Sequence, residues 1–538
     1  FRVRAYRNAA RTVRDLPHSL ASLVDEDVDL AGLPAIGRDL AGKIVEILAT
    51  GRLTVLEEAR SRVPAPLAEL MELPGLGPKR ARLLHDALGI RSLDDLGTAV
   101  RAGRLRGVRG FGARTEQRLL EELGRRRGPA RPTTLRDAEE VAGRLLAHLR
   151  RTRGVRDAMI AGSYRRRKDT IRDLDVLVTC EDRAGVTERF VGFPDVEKVL
   201  ARGTTRSTVR LASGLQVDLR VVPEASFGSA LHYLTGSKAH NIAVRRMALK
   251  RGLKLNEYGV FRDGERVAGR DEEEVFAIVG LPYIEPELRE DRGEIEAALA
   301  GRLPSLVTLE DICGDLHVLG ERLPLREVAE AARARGYEYA AVTARGRGAE
   351  RLKAHLAEIE RLNEKLSGFV LLTSAEVEIL EDGSLDLPVA LLARLDLTVC
   401  GLHSGFALRR NRQTERVLRA MESPFFTILA HPTGRLLGDP EPPYELDLER
   451  VLETARARGC FVELNAQPTR LDLDDIHCKL AKELGVKVAI STAAETPAEL
   501  DFMRFGIGQA RRGWLEPGDV LNTRPLGELR ALLAQARA

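Results

Sequence analysis

Two strand-like segments carry aspartates where burial calls for apolar side chains, and this pattern limits the fold more than any other in the chain. AMIAGSYRRRKDTIRDLDVLV (158–178) and LQVDLRVV (215–222) show the period-two alternation of strands. Asp173 and Asp175 stand two apart, so both point to one strand face while Leu174 and Val176 point to the other. Asp218 interrupts the second apolar strand. Three carboxylates gathered on one sheet are costly unless cations neutralise them. Hard divalent ions such as Mg2+ or Mn2+ prefer oxygen ligands of this kind. Two such ions about 4 Å apart can activate an attacking hydroxyl and stabilise a leaving pyrophosphate. Upstream, Gly162 and Ser163 follow a strand and open a helix, where N–H groups and a hydroxyl can hold phosphates with Arg166 and with Arg165 or Lys168. An Asp-x-Asp alone is ordinary surface acid. Placed after Gly-Ser on a strand, with a third acidic strand downstream, it is hard to explain except as a metal-dependent phosphate site.

The remaining sequence sets bounds around that site. A length of 538 residues calls for three or four domains at roughly 150 residues each. With 44% apolar and 30% charged residues the chain is soluble and globular, and no run of about 18 apolar residues is present to span a membrane. Cys180, Cys313, Cys400, Cys460 and Cys478 are scattered without a Cys-x-x-Cys spacing, which disfavours a zinc ribbon and fits a reducing cytoplasm. The net charge of +4 conceals an asymmetry: residues 101–250 hold 32 Lys and Arg against 17 Asp and Glu, whereas residues 301–538 hold 31 against 36. A basic block within a folded region marks a polyanion-binding surface. The chain begins at Phe1 inside an amphipathic pattern with no charged-then-apolar leader, and is read as lacking an N-terminal segment rather than a signal peptide.

Within the first 130 residues three turns look alike: LPAIG (33–37), LPGLG (73–77) and VRGFG (108–112), each followed by a helical pattern. A Gly-x-Gly turn permits positive φ and close approach of a ligand, and the next helix aims unpaired N–H groups at an anion. Gly75 and Gly77 with Lys79 and Arg80, and Gly110 with Gly112, suit DNA phosphates, contacts that position a duplex without reading its bases. The arrangement resembles the helix-hairpin-helix modules of family X DNA polymerases. AYRNAARTVRDLPHSL and the segment from LPAIG to LTVLEE look like the small N-terminal lyase domain of that family. There, the lysine six residues after the last turn glycine forms a Schiff base with an abasic sugar. The matching residue is Lys43, implying 5′-deoxyribose-phosphate lyase capacity, although Arg2 and Asp39 stand where the best-known relative carries lysines. An attacking lysine must be neutral, so its pKa is expected to be depressed.

The aspartate constellation looks like the nucleotidyltransferase palm of the same family. By that resemblance Asp173, Asp175 and Asp218 are the catalytic metal ligands for two Mg2+ or Mn2+ ions, and Gly162, Ser163 and Arg166 hold the triphosphate. LHYLTGSKAHNIAVRRMALKRGLKLNEYGVF (231–261) continues the likeness. Tyr233 and Gly236 match residues packed near the incoming sugar, and Asn241 one that contacts the base. Leu234 stands where the best-known relatives carry an aromatic residue.

From about 309, strands and helices alternate as in a parallel α/β barrel or sheet. GDLH (314–317), SAEVEIL (374–380), HPTGR (431–435), ELNAQPTRLDL (463–473) and ARRGWL (510–515) resemble the polymerase-and-histidinol-phosphatase (PHP) domain fused to bacterial family X polymerases, which binds up to three metals for 3′→5′ exonuclease or phosphoesterase chemistry. The ligand pattern is broken. The partner of His317 is Leu319, the T-D-H reads Thr343-Ala344-Arg345, and the D-x-H reads Ala493-Ala494-Glu495. Of the expected set His317, Glu376, His403 and His431 survive. Glu376, His403 and His431 can still hold one metal, with Arg345 supplying charge where another ion would sit.

The reading is therefore a multidomain α/β protein. It comprises a lyase-like helix-hairpin-helix domain (1–62), helix-hairpin-helix fingers (63–150), an α+β palm (151–226), a thumb (227–290), a surface helix and linker (291–308) and a distorted α/β (TIM-like) PHP barrel (309–538). The implied function is metal-dependent gap-filling DNA synthesis in base excision repair. The implied partners are gapped or primer-template DNA and dNTPs, with no membrane, in a cytoplasmic, nucleoid-associated monomer. The alternative is an exonuclease, phosphoesterase or abasic-site lyase as the main activity. A non-catalytic DNA-end binder is disfavoured by the complete aspartate triad.

Overall fold

The computed structural model describes residues 2–14, 16, 18, 20–62, 70–71, 73, 76–125, 133–320, 324–345, 349–439 and 443–537. The chain forms two compact units, Phe1–Arg131 and Pro132–Ala538.

The first unit is helical, with Arg38–Thr50, Pro78–Leu88, Leu93–Arg101 and Ala113–Arg125 among its helices. Its apolar core gathers Leu73, Leu76, Leu84, Leu96, Leu105, Phe111 and Leu119. The three look-alike turns are built alike. In each, the residue between the two glycine positions is buried (Ile36, Leu76, Phe111). The carbonyl of the last turn residue, Gly37, Gly77 or Gly112, accepts the first N–H bonds of the following helix.

In the second unit, the palm is a five-stranded sheet. Strand Val155–Ile160 lies against Asp173–Cys180, followed by Gln216–Val222, Arg206–Leu211 and the edge strand Val196–Ala201. The pair Asp173–Cys180 and Gln216–Val222 is parallel. Helix Leu135–Arg150, counted with the fingers by the sequence reading, packs on this sheet through Leu135, Leu145 and Leu149. Each such leucine contributes about 1.5–3 kcal/mol by leaving water, which is why the division falls after Arg131 rather than at 150. Leu471, Phe502 and Phe505 from the C-terminal region complete the same palm core. The thumb joins helices Phe227–Thr235, Lys238–Lys250 and Glu272–Ile278 to a three-stranded antiparallel sheet over Lys254–Ala268.

The C-terminal region has seven parallel strands in chain order: Gly314–Leu319, Tyr339–Ala344, Val370–Glu378, Leu397–Gly401, Ile428–Leu429, Phe461–Asn465 and Val488–Ser491. A parallel bridge between Val318 and Ala494 returns the end of the last strand to the first, so the barrel is nearly closed. All five cysteines are free thiols. Among the described residues no helix is long and apolar enough to cross a membrane.

The charged stretch 285–306, read as a surface helix and linker, is only partly at the surface: Leu299 is 59% exposed, but one face of it is buried. Arg289, Glu294, Ile295 and Ala298 are inside. The charges of this stretch are matched by partners remote in sequence: Arg289 with Glu272 at 2.5 Å, His240 with Glu294 at 2.7 Å and Arg511 with Glu287 at 2.8 Å.

Candidate active site and DNA-facing turns

Parallel pairing sets Asp175 directly opposite Asp218, with Asp173 opposite Gln216. Leu174 and Val176, on the other face, are fully buried in the palm core. Asp218 is held from both sides: Oδ1 accepts from Thr208 Oγ1 at 2.5 Å and Oδ2 from Gln216 Nε2 at 2.8 Å. Burial and the neighbouring charges of Asp173 and Asp218 push the Asp175 carboxyl up to about 7. Burial and Asp218 raise Asp173 too. Mutual repulsion of this kind is what a divalent cation relieves, so the donor set fits Mg2+ or Mn2+. Gly162 sits at φ +66°, and a Cβ there would fall 2.4 Å from Asp175 Oδ2. The turn that opens helix Gly162–Arg165 therefore packs directly on the acid. Ser163 is half-buried on that turn.

The basic residues beyond it are already engaged. Arg165 pairs with Glu272 at 2.7 Å and donates to Thr235 Oγ1 at 2.9 Å. Arg166 Nε donates to Glu290 at 3.0 Å and its NH1 to the Thr235 carbonyl at 2.6 Å. Lys168 Nζ lies 3.8 Å from the same Glu290 oxygen. One hydrogen-bonded turn gathers Tyr233, Gly236 and Asn241. The Asn241 amide donates to the Tyr233 carbonyl at 2.6 Å and the Gly236 carbonyl at 3.4 Å. A Cβ at Gly236 would meet Asn241 Oδ1 at 2.4 Å.

Residues 230–290 match the DNA polymerase beta thumb family, residues 1–53 a helix-hairpin-helix domain and residues 67–125 a SAM-like helix-hairpin-helix tandem. The chain is 35% identical over 549 residues to the DNA polymerase/3'-5' exonuclease PolX of Bacillus subtilis (strain 168), across 99% of this chain and 95% of that protein. The chain belongs to the family X DNA polymerases. It is also 28% identical over 295 residues to DNA polymerase lambda of Rattus norvegicus, covering 49% of this chain and 48% of that protein. A probable phosphatase of Thermoanaerobacter sp. (strain X514) is 29% identical over 199 residues, 34% of this chain and 77% of the phosphatase. That match and the nearly closed parallel barrel fit a PHP domain.

In the helix-hairpin-helix unit of this polymerase, left-handed backbone falls on the first turn position: Ala35 at φ 59° and Gly110 at φ 92°. The second position is extended and caps the next helix, with Gly37 at φ −92° and Gly77 at φ −74°. A Cβ at Gly37, Gly77 or Gly112 would meet nothing within 4 Å. Packing does not require glycine there, so the bare N–H face is open to a phosphate. Gly75 lies outside the described residues; Lys79 is exposed, and Arg80 stacks over Phe111 at 5.6 Å. Lys43 departs from expectation. Its ammonium donates to Asp39 at 2.7 Å and Tyr6 at 2.8 Å. These bonds raise its pKa instead of depressing it.

In the barrel, ligand atoms of Glu376, His403 and His431 lie within 4.8 Å of one another. His403 Nε2 is 2.9 Å from Glu376 Oε1 and Nδ1 is 2.9 Å from Glu378. Burial opposes a charged His403, but Glu376 and Glu378 outweigh it and raise the pKa. Burial holds His431 down to about 4, and its Nδ1 has no hydrogen-bond partner among the described residues. A neutral imidazole with a lone pair available is what a metal needs. On the far side, Arg345 Nε donates to Glu376 Oε2 at 2.8 Å and its NH1 reaches Glu495 at 3.4 Å. A guanidinium thus occupies the Glu376 oxygen that does not face His403. His317 adjoins this group without being one of its three ligands: its Nδ1 is 2.7 Å from buried Glu463, whose other oxygen accepts from the His431 N–H at 2.8 Å. Burial works against the Glu463 charge, yet His317 and His431 bring its carboxyl to about 2. The sequence reading assigned no role to Glu378 or Glu463. Glu463 carries the signal that revealed Asp218, an acid inside an apolar strand.

Proposed function

We propose that this family X polymerase fills short gaps in DNA during repair, with dNTPs as substrates. The observation that supports this best is Asp175 opposite Asp218, with Gly162 packed on Asp175. Asp173 and Asp175 would hold both divalent ions and Asp218 the hydroxyl-side ion. Divalent ions held by these aspartates would supply acidification of the primer hydroxyl and neutralisation of the leaving group. The primer 3′-oxygen attacks the α-phosphorus, the bond to the β-phosphate breaks, and pyrophosphate leaves. Thr208 and Gln216 orient Asp218 for this task. Ser163 and the N–H groups of its turn would bind the triphosphate. Arg166 joins them by exchanging Glu290 for a phosphate oxygen. Tyr233, Gly236 and Asn241 would line the sugar and base of the incoming nucleotide. Asp218→Ala should abolish primer extension on gapped DNA while gapped-DNA binding persists. Normal extension by that variant would sink the assignment.

The other two activities of the reading are weaker in this chain. Lys43 stays protonated while it is bonded to Asp39 and Tyr6, so lyase chemistry requires a substrate that displaces Asp39. The barrel, with Arg345 on Glu376, holds at most one metal and serves mainly as a platform. Metal analysis and a 3′-exonuclease assay on the full chain test this. Robust Mn2+-dependent degradation abolished by His403→Ala would overturn it.

A further inference from the structure

A buried ionic cluster joins the triphosphate turn of the palm to the barrel. Arg512, 2% exposed, ends the barrel helix Met503–Arg512. Its NH1 donates to Glu290 Oε1 at 3.0 Å and to the Arg166 carbonyl at 2.9 Å. Its NH2 donates to Asp475 at 2.5 Å, a carboxylate shared with Arg292 at 2.8 Å. Glu290 Oε1 is also the oxygen that accepts from Arg166 Nε and lies nearest Lys168. Burial opposes the Glu290 charge, but Arg512, Arg166 and Lys168 outweigh it and hold the carboxyl at about 2. Three cations therefore share one oxygen of one permanently ionised carboxylate.

Sharing has a consequence for Arg166. In a medium of low dielectric an ion pair is strong, and a carboxylate facing Arg166 and Lys168 alone would hold them against any incoming phosphate. Arg512 divides that attraction and cannot be titrated away. It also satisfies the carbonyl of Arg166 itself, fixing the backbone of the residue whose guanidinium must turn toward the nucleotide.

We propose that Arg512, a barrel residue, is a positioning residue of the polymerase site: it keeps Arg166 available to the dNTP triphosphate by competing for Glu290 and by anchoring the Arg166 carbonyl. The inference rests on the reading of Arg166 as a triphosphate ligand.

The test is single-nucleotide gap filling by the full chain with the dNTP titrated, alongside gapped-DNA binding and thermal unfolding. Arg512→Ala should raise the dNTP KM about tenfold with kcat within about threefold, the pattern of lost ground-state binding. Arg512→Lys keeps the charge but not all three bonds, and should recover part of that loss. Glu290→Gln should lower the KM about two- to fivefold, since it removes the competitor. The double variant should recover most of the loss seen in Arg512→Ala, because the competition for Glu290 runs through their shared contact, and fall short of Glu290→Gln only by what the anchor on the Arg166 carbonyl contributes. If Arg512→Ala does not fold, Glu290→Gln and Arg512→Lys carry the test. A Glu290→Gln KM at or above wild type, or a double variant no better than Arg512→Ala, overturns the proposal. Arg166→Ala separates the two levels. If its KM is unchanged, the triphosphate reading fails. If its KM rises while Arg512→Ala and Arg512→Lys match wild type, the role of Arg512 alone fails.

Discussion

Gly162→Ala places a methyl group where the palm has none to spare. The residue sits at φ +66°, and the new Cβ would lie 2.4 Å from Asp175 Oδ2, against roughly 3.4 Å for ordinary contact. A left-handed alanine costs about 1–2 kcal/mol. The carboxylate must also retreat by about 1 Å, and a misplacement of that size at a reacting centre costs about 100-fold in rate. The turn cannot yield instead, because the Ala161 N–H donates to the Asp175 carbonyl at 2.8 Å. The expected outcome is a fall of about 100-fold in kcat for single-nucleotide gap filling. Gapped-DNA affinity should stay within about twofold, since DNA grip lies largely with phosphate contacts elsewhere. The melting temperature should drop by only about 1–3 °C, from about 1–2 kcal/mol in a unit as large as Pro132–Ala538. Extension within threefold of wild type would refute the reading that the packing of this turn on Asp175 sets the geometry of the proposed site.

Three further outcomes are expected. Relative to Asp175→Asn, the metal-free protein should lose stability as pH rises between 3.8 and about 7, because native Asp175 keeps its proton while the unfolded chain releases it. Mg2+ should raise the melting temperature more at pH 8 than at pH 5; equal shifts would count against the carboxylates as the binding site. Asp39→Asn removes the bond that most raises the Lys43 pKa, so borohydride trapping of a 5′-deoxyribose phosphate at pH 7 should speed up and Lys43→Ala should abolish it. No trapping in either wild type or Asp39→Asn would remove Lys43 from lyase chemistry. Arg345→Ala frees Glu376 Oε2, and equilibrium dialysis should then find tighter Mn2+ binding to the barrel than in wild type. Unchanged binding would mean that the guanidinium does not exclude the ion.

The proposed metal site could be read from the sequence because its requirements are local. Two aspartates two apart and a Gly-Ser turn ten residues earlier are read from one segment, and a third acid in an apolar strand needs only its own neighbours. The hairpins were legible for the same reason, as a repeated five-residue turn, although only the structure shows which turn position is left-handed. What escaped is long-range compensation. The charged stretch around 285–306 looks like a solvated helix and linker because its charges are conspicuous, and the partners of its buried charges, Glu272, Asp475, Arg511 and Arg512, are scattered over more than 200 residues of sequence. For Lys43 only the direction of the pKa shift was misjudged: Asp39, one helical turn away, raises it where the chemistry needs it lowered. Arg165 read as a phosphate ligand because nothing nearby in sequence reveals Glu272.

Leu471, Phe502 and Phe505 of the barrel lie inside the hydrophobic core of the palm. A gene cut short before the barrel would therefore encode a palm with open apolar holes, not a smaller polymerase. Selection for DNA synthesis alone then suffices to preserve the barrel's folded shape. Its metal ligands enjoy no such protection and can drift one by one.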